Sequence, residues 1–598
     1  MRDLTVDTET ALIAEGRLAP PMACASWADS SGAGLLDPDR GLDLVRDALR
    51  DSGTRLVGHH MPYDLGVCAQ RDPSLLPLIH SALDADRIVC TKVNSQIQLV
   101  AGVHNQPAHS LADEARRWLD VQVGGKGGDG WRLHYRKLIG IPVTDWPADA
   151  RDYAVTDAML TRDVWEAQQR RPVPNLDEQM RSAWALHTMG AWGFRIDPCA
   201  ARELDAKLRP PVEAARAQLT AWGLLREDGT KDLKLIKALV TRAYNGAPPT
   251  TDKGNVQTSE EVLSESGNVQ LMKLASIATA EKELAAFLPF LLRGAESGLP
   301  VCPEWNNLVR SGRTSCRKPG AQQLPRRAGV RECIVPRKGN LFFGADYDTA
   351  ELRSLAQNIY WYMGKEGALM RALRAGLDPH LQMGAAIAGV SYDKIAAAYA
   401  AGEAWAKDAR SLAKAPGFGF PGGLGARSFV DFAKGYGFTL TLDRAKELKR
   451  LWLQTYPLMN DYFAMVGSWT GAGNTTITQP WSGRLRADTG YTDGCNTLFQ
   501  GLTADYAKMA LYRVTRAQLT DTSSALYGSR LVVFVHDELV GECPAEQAPE
   551  AGEELARIMR ECAQEVCPDV PHGADPYLMS RWTKSAKTRR DKRGRLCL

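Results

Sequence analysis

Two strand-like runs end on or beside acids: Phe342-Phe-Gly-Ala-Asp-Tyr347 and, about 190 residues later, Leu531-Val-Val-Phe-Val-His-Asp-Glu-Leu539. Aromatic and β-branched residues favour a half-buried pleated surface, so each run predicts a strand followed by an aspartate, Asp346 and Asp537. A carboxylate where a buried strand emerges is costly unless compensated, and a divalent cation is the commonest compensation. Side by side, the two strands would converge their acids on one point. That geometry suits two-metal phosphoryl transfer, with ions roughly 3.5 to 4 Å apart.

The rest of the chain predicts several folding units, three or four at roughly 150 residues each. The first, to about residue 170, alternates strand-like stretches (Leu4–Val6, Arg55–Gly58) with helix-like ones (Leu111–Leu119, Ala148–Gln169), which is an α/β pattern. Arg170–Asn175 is a hinge candidate, and residues 176 to 300 turn helical. Thr258-Ser-Glu-Glu261 before Val262 and Leu263 reads as a capping box, and Leu284–Leu292 as a strongly apolar helix face. Beyond 305, the strands at 341–345 and 531–535 bracket a long, mainly helical insertion.

Composition bears on partners and compartment. No apolar run approaches the roughly 20 residues that span a bilayer, and the start lacks a signal-peptide core. The 12 cysteines form no CxxC pair, so reduced thiols are expected rather than a zinc site or disulfide framework. Net charge is +3, but eight basic residues between Arg581 and Arg595, against Asp591, put +7 in the tail and leave −4 elsewhere. An acidic body suits metal-binding carboxylates. The tail is either a frayed terminus or an auxiliary arm that contacts nucleic acid.

Between the acidic strands, Arg410, Lys414 and Phe418 recur at four-residue spacing, which on a helix sets two cations and a ring on one face. Such a face could hold a triphosphate and a sugar or base. Pro416-Gly417 disfavours helix, so a kink or irregular turn is expected there. In the first unit, Asp7-Thr-Glu9 follows Leu4–Val6 with both acids on one side, Asp64 follows Gly58–Tyr63, and Tyr153 and Asp157 lie one helical turn apart.

In their order, Arg313, Asp346, Glu351, His380, Arg410, Lys414, Phe418, Asn496, Gln500 and His536-Asp537-Glu538 resemble the polymerase module of family A DNA polymerases. The DxE, Tyr-Asp and YxxxD order resembles the DnaQ-like 3'-5' exonuclease domain that precedes it. The resemblance implies an α/β, RNase H-like exonuclease domain (1–170), a mainly helical thumb and linker (171–304), and an α+β right-hand polymerase palm (305–598) with fingers inserted at about 365–440.

It further implies that Asp346, Asp537 and the Tyr347 carbonyl hold two Mg2+ (or Mn2+) ions, with Glu538 a less direct acid. Arg410, Lys414 and His380 would grip the triphosphate, Lys414 also donating a proton to the leaving pyrophosphate. Phe418 would disfavour dideoxynucleotides and Glu351 would exclude a 2'-hydroxyl. Arg313, Asn496, Gln500 and His536 would touch the primer-template. Asp7, Glu9, Asp64 and Asp157 would hold a second metal pair, with Tyr153 orienting a water. Where many members carry a tyrosine, this chain has Gly422; where they carry a small amide, it has His60.

The expected function is a proofreading, template-directed DNA polymerase using dNTPs. It is expected to be a monomer with replisome partners and no membrane. With no room before the first strand for a 5' nuclease, it looks like a phage replicase, cytoplasmic in an infected bacterium. The alternatives are an exonuclease whose second half only holds DNA, a non-catalytic replisome scaffold, and a single-subunit RNA polymerase.

Overall fold

The computed structural model describes residues 1–13, 17–102, 108–123, 130–251, 253–325, 329–471, 473 and 475–598. Two sheets carry the acids. The first contains β1 (Arg2–Thr10), β2 (Met22–Asp29), β3 (Gly32–Leu36), β4 (Thr54–Gly58) and β5 (Ile88–Cys90) in the order β3-β2-β1-β4-β5. Its β3-β2-β1 half is antiparallel and its β1-β4-β5 half parallel. Leu4 and Val6 are buried in this unit's core, together with side chains of helix α1 (Met61–Arg71). Helix α2 (Ala148–Gln169) packs on β1 and β2.

Asp7 and Glu9 lie inside β1 rather than after it, because pairing with β2 continues from Thr5 to Thr10. The parallel ladder with β4, by contrast, stops at Thr5. The predicted helices Leu111–Leu119 and Ala148–Gln169 are present with those bounds.

Helix α3 (Leu176–Trp192) joins the two halves by dividing its faces. Met180, Ala183 and Trp184 pack into the first core, whereas Ala185, Leu186 and Met189 pack into the core of the second sheet. The helical stretch that follows differs from expectation in two places. Ser259, not Thr258, is the N-cap, accepting from the Val262 amide, so the reciprocal Glu261 partner of a capping box is out of step by one residue. The apolar run 284–292 is split at Phe287, where one helix ends and Pro289 opens the next.

The second sheet is formed by β6 (Asn340–Tyr347), β7 (Arg530–Val535), β8 (Glu538–Pro544) and β9 (Ala574–Met579), all antiparallel, in the order β7-β8-β6-β9. The two acid-bearing strands are therefore not neighbours; β8 lies between them. The tight turn at His536 and Asp537 returns the chain at once, so β8 takes the place beside β6, with Asp346 opposite Glu538. The Tyr347 amide donates to the Asp537 carbonyl (3.3 Å), so Asp537 still sits at the end of β6.

Alternation along β6 buries Phe343, Ala345 and Tyr347 against α7 (Tyr491–Thr520) and α8 (Ala548–Val566), while Phe342 faces a separate core with Tyr577, Met579 and Trp582. Between β6 and β7 the chain is mostly helical: α4 (Ala350–Met363), α5 (Pro379–Ala388), α6 (Ala404–Gly419) and α7 belong to this insertion. Helix α6 runs unbroken through Pro416-Gly417. Ala413, Ala415, Pro416 and Gly417 are all buried there, and a side chain on Gly417 would press on His380 (3.1 Å), so tertiary packing overrides local propensity.

The basic tail is not frayed. Strands β10 (Arg589–Arg590) and β11 (Leu596–Cys597) pair, Leu596 is buried, and Arg590 and Arg595 bridge to Glu553 and Glu550 of α8. Among the described residues no helix is long and apolar enough to cross a membrane.

Gly344 marks a point where the second sheet is tightly packed. A Cβ there would lie 2.6 Å from the Tyr577 ring, which crosses it from β9. Gly344→Ala should destabilise the protein by about 1–3 kcal/mol in urea denaturation. A midpoint unchanged from wild type would show that the ring yields without cost.

Candidate active site

At the end of the second sheet, Glu538, Asp346 and Asp575 face one another across three adjacent strands. Like charges set directly opposite are destabilising, so each requires a partner. The Tyr577 hydroxyl donates to Glu538 Oε1 at 2.5 Å. Lys584 Nζ donates to Asp346 Oδ2 at 3.0 Å. The other oxygen of Asp346, Oδ1, is buried and has no hydrogen-bond partner among the described residues. Burial, with Asp346 and Glu351 adding to it, pushes the Asp537 carboxyl up to about 8.

His536 holds the turn with φ +61°, a left-handed conformation uncommon for a residue with a side chain, and its ring is exposed. Tyr347 turns its side chain inward, where the hydroxyl donates to the Met559 carbonyl (2.8 Å). Glu351, in the first turn of α4, forms an ion pair with Arg313.

The cationic face is organised by Asp378. This N-cap of α5 accepts from the His380 and Leu381 amides (2.7 and 3.2 Å) and also receives Arg410 of α6 through Nε and Nη2, both at 2.7 Å. That two-point fork fixes the guanidinium, which also lies 5.1 Å over the Tyr399 ring. Asp378 is held below the usual carboxylate range by Arg410, against its burial.

Lys414 and Phe418 follow on the same helix, both half-buried. His380, expected on the phosphate-gripping surface, is instead 4% exposed beneath α6, its ring 5.4 Å from Phe418. Desolvation lowers its pKa to about 4, so the ring is neutral near pH 7. On α7, Asn496 and Gln500 share one face, with the Gln500 amide donating to Asn496 Oδ1 (3.3 Å). Gly422 abuts that asparagine: a Cβ would come within 2.7 Å of Asn496 Nδ2.

In the first unit, Asp7, Glu9 and Asp157 bring one ligand oxygen each to within 4.8 Å of one another. Tyr153 lies one turn before Asp157 on α2, and burial with the neighbouring acids raises its hydroxyl pKa. Asp64, expected as a fourth member, is not in that cluster. Its Oδ1 accepts from both the amide and the hydroxyl of Thr8 (3.1 and 2.7 Å), at the point where the β1–β4 ladder has ended. Burial pushes Asp64 up to about 7, with those two donors pulling the other way.

The sequence reading missed Tyr577, Lys584 and Asp378 as partners of these groups. Only Asp378 had a local signal, the Asp-Pro pair that opens a helix.

Residues 229–584 match the family model of DNA polymerase family A. DNA polymerase I of Aquifex aeolicus (strain VF5) is 26% identical over 396 residues, 66% of this chain and 64% of that protein. DNA polymerase I of Helicobacter pylori (strain ATCC 700392 / 26695) is 27% identical over 289 residues, 46% of this chain and 29% of that protein. The matched regions thus span less than two thirds of these relatives. Among solved structures, the POL domain of Pol1 from M. smegmatis, in complex with DNA primer-template and dNTP, superposes with a TM-score of 0.68. It covers 97% of this chain and 95% of that one at 19% identity, a likeness of fold.

Removing the Tyr577 hydroxyl leaves Glu538 a buried carboxylate short of one donor. Tyr577→Phe should therefore destabilise the protein by about 1–3 kcal/mol. Equal urea midpoints for variant and wild type would mean the bond contributes nothing.

Proposed function

The chain belongs to DNA polymerase family A, and from that membership we propose that it is a template-directed DNA polymerase that extends a primer 3' end with dNTPs and proofreads with a 3'-5' exonuclease. The observation that carries the proposal is the convergence of Asp346, Asp537 and Glu538 at one sheet end, close to the Arg313–Glu351 pair. Residues 1–170 are proposed as an RNase H-like exonuclease domain, 171–304 as thumb and linker, and 305–598 as palm, with fingers at about 365–440. The substrates proposed are primer-template DNA and dNTPs, in DNA replication of the phage type; the relatives named above are bacterial.

Divalent ions, Mg2+ or Mn2+, fit both acid sets. Asp346 offers a buried oxygen that has no partner among the described residues, and Asp7, Glu9 and Asp157 offer three oxygens around one point. Asp346, Asp537 and the Tyr347 carbonyl would hold the first pair, and Asp7, Glu9 and Asp157, with Asp64 beside them, the second. When bound, such ions supply charge that activates the attacking oxygen and stabilises the leaving one.

The chain's own groups do the rest. Arg410 and Lys414 bind the triphosphate, and Lys414 protonates the departing pyrophosphate. Glu351, fixed by Arg313, stands where a 2'-hydroxyl would come. Asn496, Gln500 and His536 contact the terminal base pair and primer end. Tyr153 orients a water in the exonuclease site.

Primer extension tests the two-site assignment. Asp346→Ala should lower extension by about 10³-fold or more and spare primer shortening; Asp7→Ala should do the reverse. Loss of both activities in either folded variant would sink the assignment.

For sugar selection, Glu351→Ala should reduce the dNTP-over-rNTP ratio of kcat/KM by about 10²-fold. Because the variant also releases Arg313, dNTP insertion itself should slow. If the ratio is retained, Glu351 does not select the sugar.

A further inference from the structure

Lys584 belongs to none of the motifs that define the two acid sets, yet its ammonium lies on Asp346 Oδ2, 238 residues away in sequence. The segment that carries it is firmly anchored. Trp582 is fully buried, its amide donates to the Ile334 carbonyl (2.9 Å), and its ring lies 4.5 Å from the Arg331 guanidinium. Arg581 donates to the Glu332 carbonyl (2.7 Å), and Thr583 and Ser585 are joined through their hydroxyls (2.9 Å). The backbone is thus held just before Lys584 and turned locally around it, while the residue itself is exposed and reaches Asp346 on a flexible four-carbon stem.

The surroundings explain why a cation is held there. Asp346 stands between Glu538 and Asp575 across the sheet, with Asp537 at the adjacent turn. Arg313, a second cation near this cluster, is engaged by Glu351. An ammonium on Oδ2 offsets repulsion among these acids, and it does so at the carboxylate whose other oxygen has no partner among the described residues.

We propose that Lys584 is a resident counter-cation that competes with a divalent metal ion for Asp346, setting the metal concentration at which the site fills. The inference rests on the polymerase reading of that site. It assigns Lys584 a positioning role: the ammonium holds the Asp346 carboxylate in place before the metal arrives, and gives up Oδ2 when metal ions take the carboxylate. Neutralising Lys584 removes a competitor and restores one unit of negative charge, so the metal should bind more tightly.

The test is Mn2+ binding to the full chain without DNA or nucleotide, read from the free-ion electron paramagnetic resonance signal at constant ionic strength. Asp7→Ala/Glu9→Ala serves as the parent, so that the first acid cluster does not contribute. Lys584→Met and Lys584→Gln should each bind Mn2+ about tenfold tighter than the parent, and Lys584→Arg should stay within about twofold of it. Adding Asp346→Asn should remove this binding in every background. If the neutral variants bind Mn2+ no tighter, while Asp346→Asn still removes binding, the competition is overturned and the polymerase reading stands. If Asp346→Asn leaves Mn2+ binding unchanged, the metal reading of the site is overturned as well. Circular dichroism melting of each variant separates altered binding from lost folding; Lys584→Gln, which retains a polar head, is the second variant should Lys584→Met fail to fold.

Discussion

Repulsion between carboxylates is the constraint around which the second half of this chain is arranged. Glu538, Asp346 and Asp575 lie on one face across three strands, with Asp537 at the adjoining turn. At about 5 Å and an effective dielectric constant near 20, each close pair of charges costs on the order of 3 kcal/mol. The sheet cannot splay to relieve this, because Phe343 and Phe342 anchor it into separate cores on its two faces. Relief comes instead from single polar contacts aimed from elsewhere: Tyr577 on Glu538, Lys584 on Asp346 and Arg313 on Glu351. The acids are held together by the same packing that makes them costly, which is the condition of a preorganised site.

The first sheet meets a similar problem by separation. Asp7 and Glu9 share one side of β1 and meet Asp157 from α2, whereas Asp64 is drawn onto the donors of the intervening Thr8. Strand alternation sets Asp7 and Glu9 on one side of β1 and Thr8 on the other, and the two helices bring Asp157 to the first side and Asp64 to Thr8. The two units are also tied through helices: the Tyr512 hydroxyl of α7 donates to Asp84 (2.7 Å), Arg516 pairs with the same carboxylate (2.9 Å), and α3 packs into both cores. Helix α7 carries Asn496 and Gln500 toward one site while its later turns fasten the other unit.

What was legible in the sequence was local. Periodicity located the Leu111–Leu119 and Ala148–Gln169 helices, and β-rich runs located the strands that bear Asp7 and Asp346 and the one that leads into the turn at Asp537. Strand order was not legible, since nothing in two alternating runs tells whether they are neighbours or flank a third strand, and β8 separates them. Pro416 was a poor guide to where the helix ends for the same reason, as buried neighbours from other elements outweigh one missing donor and the helix continues to Gly419. Lys584 and Tyr577 were invisible as partners because a residue's use across 238 or 39 positions leaves no periodic trace. A charge count found the basic tail but not its pairing onto α8, which depends on Glu550 and Glu553 facing it.

Gly422 shows how such long-range packing accounts for a departure from the family pattern. The chain around it is a short 3₁₀ turn, Phe420–Gly422, whose first ring is fully buried and 4.2 Å from Phe429. That anchor presses the turn onto α7, where the Asn496 amide would lie 2.7 Å from any Cβ at position 422. Gly423 follows with φ +79°, and a Cβ there would meet the Tyr491 ring at 2.8 Å. Asn496 cannot easily withdraw, because its amide donates to the Thr492 carbonyl (2.8 Å) and its oxygen accepts from Gln500. A tyrosine at 422 would have to displace a side chain held at both ends, so the glycine and the asparagine form one packing solution. The ring missing from the turn and the polar pair on α7 are two consequences of how closely these elements approach.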